Sequence, residues 1–381
     1  MSDNKVMLGL SGGVDSAVSA YLLKKQGYDV TCCFMRNWDS IMNNDIQGNP
    51  TLAGDKCSQE FDYDDAVETA FELDLPILRK DFIKEYWDDV FSQFLKTYER
   101  RFTPDPDVFC NKYIKFGAFY DFAKTMGFDT IAMGHYAMRI DEGGESHLYK
   151  ASDLNKDQSY FLGQISSEQL SHCIFPLASF TKPQVREIAE RENLAVAKKK
   201  DSTGVCFIGE RNFKQFLNNY LPAKPGDIVD ITNGQVLKQH DGILYYTVGQ
   251  HRGLDIGGIK GRPMKPYFVV GKNLQKNILY VAQEEGNEFR KSYRCLIDTF
   301  NWIGSDRPEG RYKCACKFRY RGKDLPVTLT IRPDGESAYL DYDGYDYVAK
   351  GQIACLYQGN RVLGSGVIIK TYDKDLQEIP Y

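Results

Sequence analysis

The chain contains no apolar run near the roughly 20 residues that a membrane-crossing helix needs, which excludes a helical membrane protein. It lacks the charged leader and small-residue cleavage site of a secretory signal and the Arg-rich, acid-poor character of a transit segment. An apolar stretch, Val6 to Leu10, arrives almost at once. A cytoplasmic protein without membrane attachment is expected. None of its 10 cysteines forms a C-x-x-C pair, which argues against a zinc ribbon, an iron–sulfur site or a thioredoxin-like pair. Length and α/β patterning argue against a disulfide framework. There is no excess of positive charge: 48 Lys and Arg stand against 52 Asp and Glu, a net −4. Non-specific nucleic-acid binding through bulk charge is therefore excluded, and an RNA partner would rest on local clusters such as Lys198-Lys199-Lys200 or Lys317, Arg319, Arg321 and Lys323. Internal repeats, low-complexity tracts, G-x-x-x-x-G-K-[ST] and G-x-G-x-x-G are all missing.

The first half alternates strand and helix patterns. Strands are expected at Lys5 to Leu10, Val30 to Met35, Ile77 to Leu78 and Thr130 to Met133. Helices are expected at Asp15 to Gln26, closed by Gly27, at Asp65 to Leu73 with an apolar face of Ala66, Val67, Ala70 and Phe71, at Tyr86 to Arg100, and at Ile114 to Met126. Asn37 to Lys56 reads as a long polar loop. Ser166 with Gln169 and Thr181 with Gln184 form capping boxes, and a last helix runs from Asn212 to Tyr220. Such alternation implies a parallel sheet covered on both faces. From Pro225 onward, short alternating runs and turn pairs such as Asn233-Gly234, Asp241-Gly242 and Asp334-Gly335 imply two small β-rich domains.

The strand Val6–Leu10 runs directly into Ser11-Gly12-Gly13-Val14-Asp15-Ser16 and a helix. Glycines let backbone approach phosphate, and the N–H groups of the first helical turn favour an anion. Asp15 is placed to hold Mg²⁺ on a pyrophosphate, and Ser11 and Ser16 to donate to phosphate oxygens. Met35 and Gly134-His135 follow other strands of the same sheet, where an open α/β sheet puts its ligands. Taken singly, Met35 is explained by packing and His135 as a satisfied structural histidine. Cys110 lies in a Pro/Asp-rich segment ahead of the expected helix at Ile114, next to Lys112. A helix N-terminus there would favour its thiolate, and Asp107 would serve as acid or base. Cys206 lies between Gly204 and Gly209, after three lysines. Cys314 and Cys316 share one face of a strand, Cys32-Cys33 lies in a buried strand, and Cys57 sits in a polar loop.

The loop Gly9-Leu10-Ser11-Gly12-Gly13-Val14-Asp15-Ser16 resembles the PP-loop of the ATP pyrophosphatase superfamily. Phe34 to Trp38, Pro106-Asp107 with Cys110-Asn111-Lys112, Gly134-His135-Tyr136, Lys156 to Leu162, Lys198 to Arg211, Gly249-Gln250, Gly257-Gly258, Phe318 to Arg321 (read as a strand) and Gly351-Gln352 extend the likeness nearly end to end. Together they resemble the tRNA-specific 2-thiouridylase family. The resemblance implies an α/β fold class: a doubly wound parallel-sheet PP-loop domain (adenine nucleotide alpha hydrolase-like) over 1–214, a small β-rich central domain over 215–283, and a C-terminal β-barrel domain contacting tRNA over 284–381. It implies ATP and Mg²⁺ as cofactors, with Gly9 to Ser16, Met35 and Gly134 on ATP. It implies a sulfurtransferase that adenylates O2 of the wobble uridine in tRNA of Lys, Glu and Gln type. Cys206 carries the persulfide, and a disulfide with Cys110 ends the cycle. It further implies that Asp105, Pro106 and Asp107 contact the target base, and that His135, Lys156, Asp157, Gln158, Arg319, Tyr320 and Gln352 contact tRNA. A cysteine desulfurase, with small carrier proteins, supplies sulfur to a monomeric enzyme. The family usually carries Asn at Asp105, so this chain adds negative charge beside the base.

Three other readings fit less of the sequence. A PP-loop ligase or amidase leaves the loop cysteines and β domains unexplained. A cluster-dependent or lysidine-forming RNA enzyme meets the missing C-x-x-C, and a tRNA binder without catalysis would have lost the loop or the cysteines.

Overall fold

In Lys5–Gly9 (β1), Val6 to Leu8 are fully buried, as a strand must be when helices cover both faces of a sheet. Val6 and Leu8 point to one layer and Met7 to the other. In this computed structural model, which describes residues 4–50, 58–201, 212–258, 264–283 and 288–379, β1 pairs in parallel with Asp29–Arg36 (β2) and Ile131–Ala132 (β4), and β2 with Ile77–Asp81 (β3). A hairpin follows, Ala137–Glu142 (β5) and Glu145–Lys150 (β6). Cys173–Ile174 (β7) then completes the sheet beside β4, in the order β3-β2-β1-β4-β7. The order runs outward in one direction to β3 and in the other to β7. The reversal lies between β1 and β4, where ligands of open α/β sheets collect.

The helix Val14–Lys25 follows β1 and ends at Gly27, whose φ of 85° closes it. The two capping boxes form as expected, opening the helices Ser167–Ser171 and Lys182–Arg191. Two helical expectations are corrected. The helix Ser58–Glu72 buries Ala66, Thr69 and Ala70, but Val67 is 37% and Phe71 85% exposed, so half of the expected apolar face looks outward. The helix expected from Ile114 starts eight residues earlier, at Pro106, and continues through a π-helical stretch, Cys110–Ala118, to Thr125. Pro at the first helical position, where no N–H is needed, was the signal for that start.

The central unit has strands Gly226–Asp230 (β8), Val236–His240 (β9), Tyr267–Asn273 (β10) and Ile278–Gln283 (β11), in the order β10-β11-β8-β9. The C-terminal unit comprises Lys291–Trp302 (β12), Arg311–Lys317 (β13), Leu325–Ile331 (β14), Ala338–Asp346 (β15), Ile353–Gln358 (β16) and Arg361–Tyr372 (β17). These six strands close into an antiparallel barrel through β12–β17, which leaves no edge within the ring. Its interior holds Cys295, Ile297, Leu329, Leu340, Leu356 and Ile368. The hairpin β5–β6 attaches to β17 through Arg361 and Tyr149, so the N-terminal unit lends two strands to the barrel's outer wall. Phe318 to Arg321 is a turn after β13 rather than a strand, with Arg321 at φ 60° and Gly322 N–H donating to the Arg319 carbonyl at 3.0 Å. No helix among the described residues is long and apolar enough to cross a membrane.

Candidate functional site

At the reversal between β1 and β4, the helix Val14–Lys25 begins with Gly13 as its N-cap and no side-chain cap bond. Its first-turn N–H groups are therefore left for an incoming anion. Ser16 Oγ donates to the Gly13 carbonyl at 3.0 Å and accepts from Ser11 N–H at 3.1 Å, which fixes the loop. Gly12 has φ +73°, and a Cβ there would lie 2.1 Å from the Asp62 carbonyl oxygen. Only glycine fits that conformation against that neighbour. Gly134, after β4, packs so closely that its Cβ would sit 3.1 Å from Ser16 N. Gly9, Ser11, Gly13 to Ser16, Met35, Met133, Gly134 and His135 thus line one cleft, joined by Lys115, Lys156, Gln158, Lys200 and Asp201.

The charges of this cleft form a network. Asp15 Oδ1 accepts from Lys182 Nζ at 2.6 Å and from Tyr136 OH at 2.9 Å. Lys182 also reaches Asp201 at 2.8 Å, and Asp201 pairs with Arg186 at 2.7 Å and with Lys156. Burial pushes the Asp201 carboxyl up, but hydrogen bonds and charge from Lys156 and Lys182 outweigh it and hold the group well below the usual carboxylate range. Lys199 donates to the Gly12 carbonyl at 3.0 Å and to Asp62 at 2.7 Å, and also bonds Asp65. The glycine loop is thereby tied to the segment Lys199–Asp201, which leads toward Cys206. Lys115 and Lys182 carried no local signal in the sequence; Lys182 is 167 residues from its partner Asp15.

His135 is buried against Phe116 and Phe175, with centroids at 5.9 and 6.3 Å. Burial, reinforced by Lys115, pushes it well below the usual histidine range, so the ring is neutral. Its Nδ1 has no hydrogen-bond partner among the described residues, and such an orphan on a cleft wall is suited to a ligand.

Cys110 is fully buried, one turn inside its helix, in the cluster that includes Val108, Ile114 and Phe119. This corrects its expected place ahead of the helix: the N-terminus lies at Pro106, so the argument from first-turn N–H groups does not reach this thiol. The π stretch that starts at Cys110 leaves the Lys112 and Phe116 carbonyls for Gln169 Nε2, at 3.1 and 3.0 Å. Lys112 donates to Gln164 at 3.2 Å, and burial lowers its pKa. Asp105 is buried and accepts from Tyr160 OH at 3.1 Å, with its pKa raised to about 7 by burial and by Asp107. The expected added charge is thus an inward-facing carboxyl held near neutrality. Gln352 Nε2 donates to the carbonyls of Thr103 and Pro104 at 3.3 and 3.0 Å, bracing the loop that enters this helix.

The residues named for tRNA divide. Lys156 and Gln158 line the cleft. Asp157 is buried and accepts from the backbone N–H of Ala151 and Ser159 and from Ser159 Oγ. Arg319 is exposed, and Tyr320 packs on Phe161 with centroids 4.5 Å apart. Cys206 and Cys57 lie outside the described residues.

Three family models cover the chain in succession: the tRNA methyl transferase HUP domain over residues 4–210, the tRNA methyl transferase PRC-barrel domain over 214–283, and the aminomethyltransferase beta-barrel domain over 292–368. The tRNA-specific 2-thiouridylase MnmA of Metamycoplasma arthritidis is 51% identical over 97% of this chain and 98% of its own length. Its counterpart of the same name in Pediococcus pentosaceus is 45% identical over 100% of both chains, and that in Mycoplasmopsis pulmonis 46% identical over 97% of both. The chain belongs to the tRNA-specific 2-thiouridylase family. Membership accounts for the order of the three units.

Proposed function

We propose that this protein is a cytoplasmic tRNA-uridine 2-sulfurtransferase that uses ATP to replace O2 of the wobble uridine by sulfur. The observation that carries the reading is the end-to-end match to relatives of that name, in a sequence that keeps both the glycine loop and the two cysteine motifs.

The cleft suits ATP. The Gly13 N-cap and Ser11 and Ser16 face a phosphate chain, and Met35, Met133 and neutral His135 face a base. Mg²⁺, held between Asp15 and phosphate oxygens, would neutralise charge on the departing pyrophosphate. A magnesium ion ordinarily takes one or two carboxylates together with substrate phosphates and water, which a single carboxylate such as Asp15 suits. Uridine O2 attacks the α-phosphorus, the bond to pyrophosphate breaks, and O2 becomes part of an AMP leaving group. The terminal sulfur of a Cys206 persulfide then attacks C2, and AMP departs with the original oxygen. Cys110 thiolate attacks Sγ of Cys206, which leaves sulfur on the base and a Cys110–Cys206 disulfide. A thiol reductant resets the pair. In this scheme Asp107 moves the proton, Pro106 and Asp105 shape the base pocket, and Lys156, Gln158, Arg319 and Tyr320 face the tRNA. The buried His135 and Asp157 and the half-buried Gln352 act on it by positioning the segments that carry those contacts. A cysteine desulfurase, directly or through carrier proteins, loads Cys206 on a monomer.

The decisive experiment is mass analysis of wobble uridine after incubating tRNA with the protein, Mg-ATP, cysteine and a cysteine desulfurase. Sulfur in place of oxygen is expected, with loss of the product in Cys110→Ser and Cys206→Ser while tRNA binding persists. Full thiolation by either variant would remove the relay.

A further inference from the structure

Away from the nucleotide cleft, a cavity opens where the three units meet, between the end of the helical segment at Arg100 and Arg101, strand β10 of the central unit, and the barrel at Lys291 and Lys350. Among the described residues its lining includes five cations, Arg100, Arg101, Lys272, Lys291 and Lys350, and no carboxylate. Among the described residues none of the five makes an ion pair; the nearby Lys370, by contrast, is paired with Glu378 at 2.8 Å. Lys272 is only 5% exposed, and its Nζ has one protein partner, the Arg101 carbonyl at a long 3.4 Å. Among the described residues Lys350 Nζ bonds only the Ile379 carbonyl, at 2.8 Å. Burial, with the charge of Arg101, lowers Lys272 to about 8, and burial lowers Lys350 against an opposing pull from Glu378. At neutral pH Lys272 is still mainly protonated, a buried ammonium without a counter-charge among the described residues, which is a costly arrangement unless an anion completes it.

The remaining lining specifies the anion. Thr371 adds a hydroxyl, and Val270, Leu274 and Val348 add an apolar wall; the hydroxyls of Thr103 and Ser292 are bonded to Thr247 at 3.5 Å and to Tyr342 at 2.7 Å. Several cations converging from separate elements match a group with many acceptor oxygens and more than one negative charge. We propose that this cavity is a phosphate-binding site. The phosphate comes either from a free phosphate compound or from the backbone of bound RNA. Its occupant would sit directly against the loop that delivers the Cys110 helix, since Thr103 N–H donates to the Lys350 carbonyl at 2.8 Å and the helix starts at Pro106.

The test is calorimetric titration of the full-length protein with inorganic phosphate, comparing wild type with Lys272→Met and Arg101→Gln. Phosphate held by the glycine loop is common to all three, so the difference isolates this cavity. Each substitution is expected to weaken the cavity's phosphate binding at least tenfold. Lys272→Met should fold at least as well as wild type, because it removes a buried charge without changing bulk; should it fold poorly, Arg101→Gln decides. Identical phosphate binding in wild type and the folded variants would overturn the proposal. Salt titrations of tRNA binding separate the sources. A backbone phosphate would make the log–log slope shallower by about one in Lys272→Met, whereas loss of phosphate binding with an unchanged slope assigns the cavity to a free phosphate compound.

Discussion

In the nucleotide cleft Lys182 lies 2.6 Å from Asp15 and 2.8 Å from Asp201, and Lys199 lies 2.7 Å from Asp62; in the junction cavity Lys272 and Lys350 meet only backbone carbonyls. Both regions are rich in cations, yet the protein treats their charge differently. Paired charges at the cleft hold segments in position: the glycine loop, the helix Lys182–Arg191 and the residues before Cys206 share one set of bonds. Because these side chains are partly exposed, their pairs are screened and can be exchanged for phosphate contacts without stranding a charge. Among the described residues the junction cavity has no carboxylate in its lining to exchange, and Glu378 reaches Lys350 only through space while pairing with Lys370, so a ligand there would supply the first directly bonded counter-charge.

The largest expected effect comes from removing the acid at the centre of the cleft. Asp15→Ala should reduce tRNA-dependent pyrophosphate release by about 10³-fold, the scale seen when one preorganised charge or donor is lost from an active site. Normal release would remove the metal assignment. Lys182→Met should reduce release by about 10²-fold, since Asp15 and Asp201 lose their shared cation and repel. Lys272→Met, made in parallel, should leave adenylation chemistry within about twofold of wild type. A comparable loss in both lysine variants would erase the distinction between the two regions.

Stability should divide the regions in the opposite sense. Lys272→Met should raise the unfolding midpoint at pH 7 by about 2 °C, corresponding to about 1 kcal/mol, whereas Lys182→Met should lower it. The folded-state pKa of Lys272 is depressed to about 8, so between that value and the unfolded lysine range the unfolded chain binds more protons, and wild-type stability rises with pH. The advantage of the methionine variant should therefore shrink above pH 8. A gap that stays constant from pH 7 to 9.5 in thermal scans would show that Lys272 carries no buried charge.

What the sequence made legible was mostly local. The capping boxes at Ser166 and Thr181 and the glycine loop are defined within a few residues, and each formed where expected. The outward turn of Val67 and Phe71 was not legible, because periodicity marks apolar residues but not which of them a neighbouring layer covers. The start of the Cys110 helix was masked by a Pro/Asp-rich segment that reads as loop until Pro106 is taken as a first helical residue. The turn at Arg319-Tyr320 resembles a strand in composition, and only the left-handed φ of Arg321 ends it. The ion pairs of Lys182 and the unpaired state of Lys272 depend on partners brought together by the fold, so no local pattern announces them.

Asp105 and Asp201 extend the comparison to acids. Asp201 is surrounded by Lys156, Lys182 and Arg186 and stays ionised; Asp105 is buried, with Tyr160 OH donating to it and Asp107 nearby, and titrates at about 7. Its folded pKa lies above the ordinary aspartate value, so the folded protein binds the extra proton. Wild-type stability from this group is fully present below about pH 4 and is lost as pH rises through 7. Asparagine keeps the acceptor for Tyr160 and does not titrate. Asp105→Asn should therefore lie close to wild type near pH 4 and exceed it by about 4 kcal/mol at pH 8, since the carboxyl is raised from the ordinary aspartate value to about 7 and each pKa unit is worth about 1.4 kcal/mol. Denaturant unfolding at the two pH values measures the gap directly. An equal difference at both would mean that Asp105 is ionised in the folded protein, and the contrast with Asp201 would then be one of position rather than of charge.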